Sequence, residues 1–152
     1  MKSFTRLKSL PIFLIACILT LGFGGLFLPG PWYESLHKAP WNPPNVVFPI
    51  VWSALYLLIA VAGWLIFTHS DLRLKQLWVL QLLLNGAWSW IFFGQHWVLV
   101  AMVDIALLNV VVATLIWRCF RSCLPAAGWL LLPYLLWIAL ASSLNAYILI
   151  AN

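Results

Sequence analysis

The sequence contains very little charge. Of its 152 residues, only 7% are Asp, Glu, Lys or Arg, whereas 65% are hydrophobic. Soluble domains carry about 25% charged residues, so this chain has too few to cover a water-exposed surface. The shortage excludes a soluble globular protein. It predicts one integral membrane domain spanning residues 1–152, because the length fits a single compact unit.

Acidic residues are the scarcest charged type, with three Asp or Glu against eight Lys or Arg, and the net charge is +5. The basic residues lie between apolar runs and form no continuous patch. A nucleic-acid-binding surface needs clustered Lys and Arg. The predicted partner is therefore the lipid membrane, with no nucleic acid.

Cysteine and histidine are too few and too scattered to predict a metal centre. The three cysteines Cys17, Cys119 and Cys123 form no even disulfide framework. All three histidines fall outside the apolar runs, and the chain has no phosphate loop or nucleophile elbow. We predict no metal site and no required cofactor. His37 is the one histidine to test as an axial ligand of haem iron.

Long apolar runs are abundant instead. A membrane-spanning helix needs about 20 apolar residues, and five segments qualify. They cover residues 10–28, 48–67, 76–93, 97–117 and 125–150, with a loop at 29–47. This pattern predicts an all-α membrane protein, a five-transmembrane-helix bundle with a structured loop between its first two helices. The N-terminus begins like a signal peptide, but its apolar run reaches Leu28, so we predict a retained first helix.

The basic residues also predict the orientation of the chain. Seven of the eight lie on one side of the predicted bundle, and the other side has only Lys38. The seven are Lys2, Arg6, Lys8, Arg73, Lys75, Arg118 and Arg121. Because Lys and Arg concentrate in cytoplasmic loops, we expect a cytoplasmic N-terminus and a C-terminus outside.

Polar and aromatic residues share helical faces in three of the predicted spans. In the third span, this face carries Gln81, Asn85, Trp88 and Phe92. The fifth span has Tyr134, Trp137, Ala141 and Asn145, and the second has Trp52, Tyr56 and Gly63. Such faces can line a cavity for a flat, amphipathic, aromatic ligand. The alternative is helix–helix contact through amides and packed rings.

Two other features of the spans bear on function. Asp104 is the only acidic residue inside a predicted span, and it serves either a polar ligand or proton, or a hydrogen bond between helices. Four tryptophans near span ends predict an interfacial aromatic belt. They are Trp78, Trp97, Trp117 and Trp129.

Three ordered motifs give the chain a family resemblance. They are WYESLHKAPWNPPNVVFPIVWSALY at 32–56, NGAWSWIFFG at 85–94 and LPYLLWIALASSLNAYI at 132–148, with Asp104 between the last two. Together they resemble the TspO/MBR family, the bacterial tryptophan-rich sensory proteins and the mitochondrial translocator protein (peripheral benzodiazepine receptor). The resemblance covers residues 10–148 and implies a bacterial membrane protein.

The resemblance implies a five-helix bundle, commonly a homodimer, that binds porphyrins, haem and synthetic benzodiazepine-type ligands. It implies ligand contacts at nine positions. These are Trp41, Phe48, Trp52, Tyr56, Asn85, Trp88, Asp104, Trp137 and Ala141. With the helical faces, the predicted site also includes Gln81, Phe92 and Tyr134. The family's sterol pattern needs a base after Tyr147, and none follows here.

The expected function is that of an integral membrane tetrapyrrole-binding protein, a sensor, regulator or carrier of porphyrin-type ligands. The alternative is light- and oxygen-dependent degradation of the porphyrin, with Trp41 and Trp137 as the candidate reactive residues. A third hypothesis is a small proton-coupled exporter that uses Asp104.

Overall fold

The computed structural model describes residues 9–152, and all their regular structure is helical. The α-helices are α1 (Leu10–Gly24), α2 (Pro31–Ser35), α3 (Val47–Phe67), α4 (Leu72–Ser89), α5 (Val98–Arg121) and α6 (Pro125–Ala151). A π-helical turn, Trp90–Gly94, continues α4. The all-α prediction is confirmed. Lys2, Arg6 and Lys8, which contribute to the predicted orientation, lie outside the described residues.

Four segments of the described chain are long and apolar enough to cross a membrane: α3, α4 with its π turn, α5 and α6. The prediction of a multi-pass helical membrane protein agrees with this. The first predicted span differs, because α1 has 15 residues and ends at Gly24 rather than Leu28. Gly24 and Gly25 weaken the helix there, and Leu26 N–H and Phe27 N–H bond three residues back.

Local sequence signals set the other helix ends. Asp71 accepts a hydrogen bond from Arg73 N–H at 2.8 Å and caps α4, which therefore starts four residues before the predicted position 76. Proline occupies the first turn of α1, α2 and α6, where its missing N–H has no cost. The short helix α2 lies inside the predicted loop, so that loop is structured as expected.

The five longer helices form a closed ring in the order α1, α3, α6, α5 and α4. Small residues allow α1 to approach α4 closely. A Cβ on Gly86 would lie 3.2 Å from Thr20 Cγ2, and one on Gly24 would lie 3.2 Å from Ser89 Oγ. Gly24 therefore serves a contact within this chain.

The contact between α3 and α4 corrects one prediction. Trp78 is only 3% exposed, and its indole N–H donates to the Ile59 carbonyl at 3.0 Å. A Cβ on Gly63 would lie 2.3 Å from this indole. The assignment of Trp78 to an interfacial belt is wrong, and Gly63 makes room for Trp78. The other three predicted belt residues, Trp97, Trp117 and Trp129, are exposed.

Candidate ligand-binding cavity

A cavity of about 380 Å³ lies inside the ring, in the half of the bundle nearest the loop between α1 and α3. All five long helices, the π turn and the loop contribute to its lining. The structure brings together eight of the twelve predicted site residues around it. They are Phe48, Trp52, Tyr56, Asn85, Trp88, Phe92, Trp137 and Ala141.

A hydrogen-bonded trio, which we call the floor, closes the inner end of the cavity. Tyr56 O–H donates to Asn85 Oδ1 at 2.8 Å, and Asn85 Nδ2 donates to Tyr134 Oη at 2.6 Å. Tyr134 is fully buried and does not line the cavity. Asn85 joins three helices through these two bonds, so much of its hydrogen-bonding capacity is already used.

Gln81 and Asp104, also predicted site residues, do not line the cavity. Gln81 lies one helical turn from Asn85, on the far side of the floor from the π turn. Its amide is buried, with no hydrogen-bond partner among residues 9–152. Asp104 is buried on α5, and its Oδ2 likewise has no partner in the described chain.

Aromatic rings form most of the cavity walls. Trp88 and Phe92 stack with ring centroids 4.9 Å apart and planes 12° from parallel. Trp137 meets Phe48 edge-on with ring centroids 5.6 Å apart, and the ring centroids of Trp52 and Tyr56 lie 5.7 Å apart. Flat walls of this kind offer π faces to a planar ligand.

Three residues of the cavity lining also have unpaired polar atoms. The indole N–H groups of Trp88 and Trp137 are buried, as is Asn145 Oδ1, and none has a hydrogen-bond partner within residues 9–152. A buried polar group without a partner costs about 1–3 kcal/mol. Protein atoms cover these three groups, so a ligand with acceptors for the indoles and a donor for Asn145 would recover this free energy only after the side chains turn towards the cavity.

The π turn explains a difference between the predicted and observed walls. Gln95 N–H bonds to Trp90 O at 2.9 Å, five residues back, so the turn holds one residue more than an α-helical turn. As a result, Phe92 and Phe93 both line the cavity. Regular helical spacing predicted only Phe92. Turns of this kind occur frequently at functional sites.

Residues 30–44, which we call the roof, cover the loop end of the cavity. Tyr33 is the roof residue that lines it, and Trp32 stacks on His96 with centroids 4.0 Å apart. Burial raises the pKa of Tyr33, although its hydrogen bond to Asn42 acts in the opposite direction. Its phenol therefore remains protonated at neutral pH.

Two residues of the roof, Trp41 and His37, fasten it to the end of α6. The indole N–H of Trp41 donates to Ser143 Oγ at 3.1 Å, and the Trp41 ring meets the Tyr147 ring edge-on. Asn152 accepts from His37 N–H at 2.9 Å and donates to His37 O at 3.2 Å. Trp41 is 52% exposed and lies outside the cavity lining. It thus holds the roof in place without contacting the cavity.

Iron would find few ligands in this cavity. Among the described lining residues there is no histidine, cysteine, methionine or charged side chain. His37, the histidine selected from the sequence, is not in the lining. Within residues 9–152, no three His, Cys, Asp or Glu residues cluster in a way that could hold a metal ion.

Several lining residues escape sequence reasoning. The segment after α1 contributes Gly25, Phe27, Leu28 and Pro29, and the roof contributes Tyr33. These residues lie outside the long helices, where helical spacing has no predictive value. Thr20 and Ser89 were detectable as polar residues within apolar runs, and Ser89 also lies beside the predicted face of the third span, four residues after Asn85 and three before Phe92.

Comparison with known proteins gives consistent matches over most of the chain. A sequence model of the TspO/MBR family matches residues 12–151. The chain is 34% identical over 140 residues to "Protein CrtK" of Rhodobacter capsulatus, covering 88% of this chain and 86% of that protein. It is 34% identical to the "Tryptophan-rich sensory protein" of Cereibacter sphaeroides, covering 88% of this chain and 84% of that protein. It is 36% identical to the human "Translocator protein", covering 75% of this chain and 70% of that protein.

Proposed function

Because the chain belongs to the TspO/MBR family, we propose that it binds a planar tetrapyrrole of the porphyrin class within its helical bundle. The observation that carries the proposal is the cavity itself, whose stacked aromatic walls include two indoles with unpaired N–H groups. Binding of this kind is the step that a sensor, a regulator and a carrier of porphyrins have in common.

The chemistry of the lining narrows the ligand class. A metal-free porphyrin suits it better than haem, because the lining residues offer no imidazole or thiolate to iron. The carboxylates of such a porphyrin would remain at the cavity opening, since burial of an unpaired charge is costly.

The size of the cavity also matters. Small-molecule sites commonly measure about 300–1,000 Å³, and a volume of about 380 Å³ is at the lower end of that range. We therefore expect part of a porphyrin to extend through the opening. Compact planar aromatic ligands would fit inside completely.

We also propose the finer membrane arrangement. Helix α1, with the apolar residues that follow it, forms a fifth span, the N-terminus is cytoplasmic and the C-terminus is outside. We propose in addition that the protein is a homodimer, as the family resemblance implies. Chemical crosslinking in native membranes tests the dimer, and a chain that crosslinks only as a monomer contradicts it.

Titration with protoporphyrin IX tests the binding proposal. We expect saturable quenching of tryptophan fluorescence in the detergent-solubilised protein. Trp52→Ala removes a ring from the cavity wall and should raise the Kd at least about fivefold. The stacking of a nucleobase on an aromatic side chain, a contact of similar area, contributes about 1–3 kcal/mol.

Trp129→Ala is the matched control, since Trp129 is exposed and outside the cavity. It should leave the Kd unchanged. An unaltered Kd in Trp52→Ala, or an equal loss in both variants, would refute this binding site.

A second candidate function is porphyrin degradation driven by light, with dioxygen as the oxidant. The position of Trp137 favours it, because this indole lines the cavity and can exchange an electron with a photoexcited ligand. Trp41, the other candidate, lies outside the lining and is hydrogen-bonded to Ser143.

Illumination of the protein with protoporphyrin IX in air tests this candidate. We expect a new absorbing product that is lost in Trp137→Phe and retained in Trp41→Phe. Identical photobleaching with and without protein would eliminate the enzymatic candidate and leave the binding proposal intact.

A further inference from the structure

The opening of the cavity lies on one side of the bundle. Of the described residues that line the cavity, five are exposed, and all five belong to two short stretches. They are Gly25, Leu28, Pro29, Asn45 and Pro49, and we call them the mouth. The lining residues of α4, α5 and α6 are all buried or partly buried. The cavity therefore opens between the end of α1 and the start of α3.

The surface around the mouth is apolar. Leu26 and Leu28 are 74% and 72% exposed, and Val46 and Ile50 flank the other side with 65% and 64% exposed. Residues 25–28 contain no polar side chain. Such a surface is suited to contact with lipid acyl chains.

With α1 as the proposed fifth span, its length puts this surface within the bilayer. Its 15 residues extend about 22 Å at about 1.5 Å per residue, whereas the hydrocarbon core is about 30 Å thick. Residues 25–28, which follow α1 without continuing the helix, fall within the remaining depth. Non-helical backbone is tolerated at that depth where it lines a cavity, as these residues do.

The route from the aqueous side is closed by contrast. The roof is fastened to α6 through the Trp41–Ser143 and His37–Asn152 hydrogen bonds. It is fastened to the end of the π turn through the stacking of Trp32 on His96 and the edge contact of Tyr33 with Phe93. A ligand arriving from water would have to break several of these contacts at once.

We propose that the ligand enters the cavity sideways from the bilayer, through the mouth, while the roof stays in place. The ligand is accordingly a lipid-dissolved planar aromatic molecule whose polar edge remains near the membrane surface. This inference rests on the proposed function for the identity of the ligand, but the position of the mouth can be tested without one.

The first experiment uses spin labels in liposomes. A Cys123→Ser background removes the exposed cysteine, and Cys17 and Cys119 are buried. Leu28→Cys places a label at the mouth, and His37→Cys places a matched label on the exposed roof. We expect dioxygen to relax the label at 28 and an aqueous nickel chelate to relax the label at 37. Equal nickel accessibility at both positions would overturn the proposal.

The second experiment measures protoporphyrin IX association from vesicles to the same two variants after attachment of a bulky maleimide. Blocking position 28 should slow association at least about tenfold, because the route must then open by a conformational change. Blocking position 37 should have no effect. Slower association after blocking position 37, with no effect of blocking position 28, would overturn the proposal. If the wild type binds no porphyrin, the proposed function fails, and the spin-label experiment alone tests the position of the mouth.

Discussion

At the scale of the residue, Asn85 shows how a site residue can act through its neighbours. Its amide accepts from Tyr56 and donates to Tyr134, so the side chain joins α3, α4 and α6 at the floor. The sequence left two roles open for Asn85, a contact with the ligand or a hydrogen bond between helices. The geometry favours the second, in which Asn85 positions two phenols and sets the depth of the cavity.

Substitution of Asn85 tests this role. Asn85→Leu removes both hydrogen bonds and leaves two buried hydroxyls without that partner, so we expect a loss of about 1–3 kcal/mol in unfolding free energy. Tyr56→Phe removes one bond and should cost less. Reversible unfolding in mixed detergent micelles measures both losses. An Asn85→Leu variant as stable as the wild type would show that the floor contributes nothing to stability.

At the scale of the element, helix contacts depend on the pairing of large and small residues. Trp78 occupies space that any side chain at position 63 would fill, and its N–H bonds to a carbonyl of the neighbouring helix. A tryptophan near a span end is thus an internal packing residue here. Its position along the chain did not distinguish this role from that of an interfacial tryptophan.

The contact predicts a large effect of one methyl group. Gly63→Ala places a Cβ 2.3 Å from the Trp78 ring, and such overpacking costs about 1–3 kcal/mol. Gly22→Ala is the matched control, because a Cβ there meets nothing within 4 Å among the described residues. Thermal unfolding should show a lower Tm for Gly63→Ala and no loss for Gly22→Ala. Equal Tm values in the two variants would contradict the packing argument.

The contact between the roof and α6 predicts a local effect on hydrogen exchange. Asn152→Leu removes the acceptor of His37 N–H, and a bond of about 1.4 kcal/mol corresponds to about a tenfold faster exchange of that amide. Ser35→Ala, which removes a different roof hydrogen bond, should leave His37 protected. Exchange at His37 that is unchanged in Asn152→Leu would show that Asn152 does not hold the roof.

Much of the fold follows from the sequence, because lipid imposes strong constraints. Apolar length and helical spacing predicted the long helices and the shared face of Asn85, Trp88 and Phe92. What could not be predicted depends on contacts between elements. The early end of α1, the π turn and the burial of Trp78 each depend on neighbours that a single helix does not reveal.

At the scale of the whole molecule, the cavity and the predicted orientation place the site near the non-cytoplasmic side. The roof lies between α1 and α3, and four basic residues lie at the opposite end of the bundle, Arg73 and Lys75 in the first turn of α4 and Arg118 and Arg121 in the last turn of α5. Because those charges predict the cytoplasmic side, we expect the roof to face away from the cytoplasm. The orientation itself stays a prediction.

Reporter fusions test that orientation. A periplasm-active phosphatase joined after Asn152 should be active, and a fluorescent protein that folds only in the cytoplasm should remain dark there. The same reporters inserted between His69 and Asp71, which lies between α3 and α4, should give the opposite result. Matching reporter activity at the two positions would be incompatible with the predicted topology.

The π turn has a consequence for how the length of this chain can change over evolutionary time. Loops between helices usually accept insertions and deletions, but deletion of one residue within Trp90–Gly94 would convert the turn to α-helix. A rotation of about 100° in everything after it would follow from 3.6 residues per turn. His96 would leave Trp32, and one of Phe92 and Phe93 would leave the cavity wall. We therefore expect the number of residues between α4 and α5 to tolerate neither insertion nor deletion.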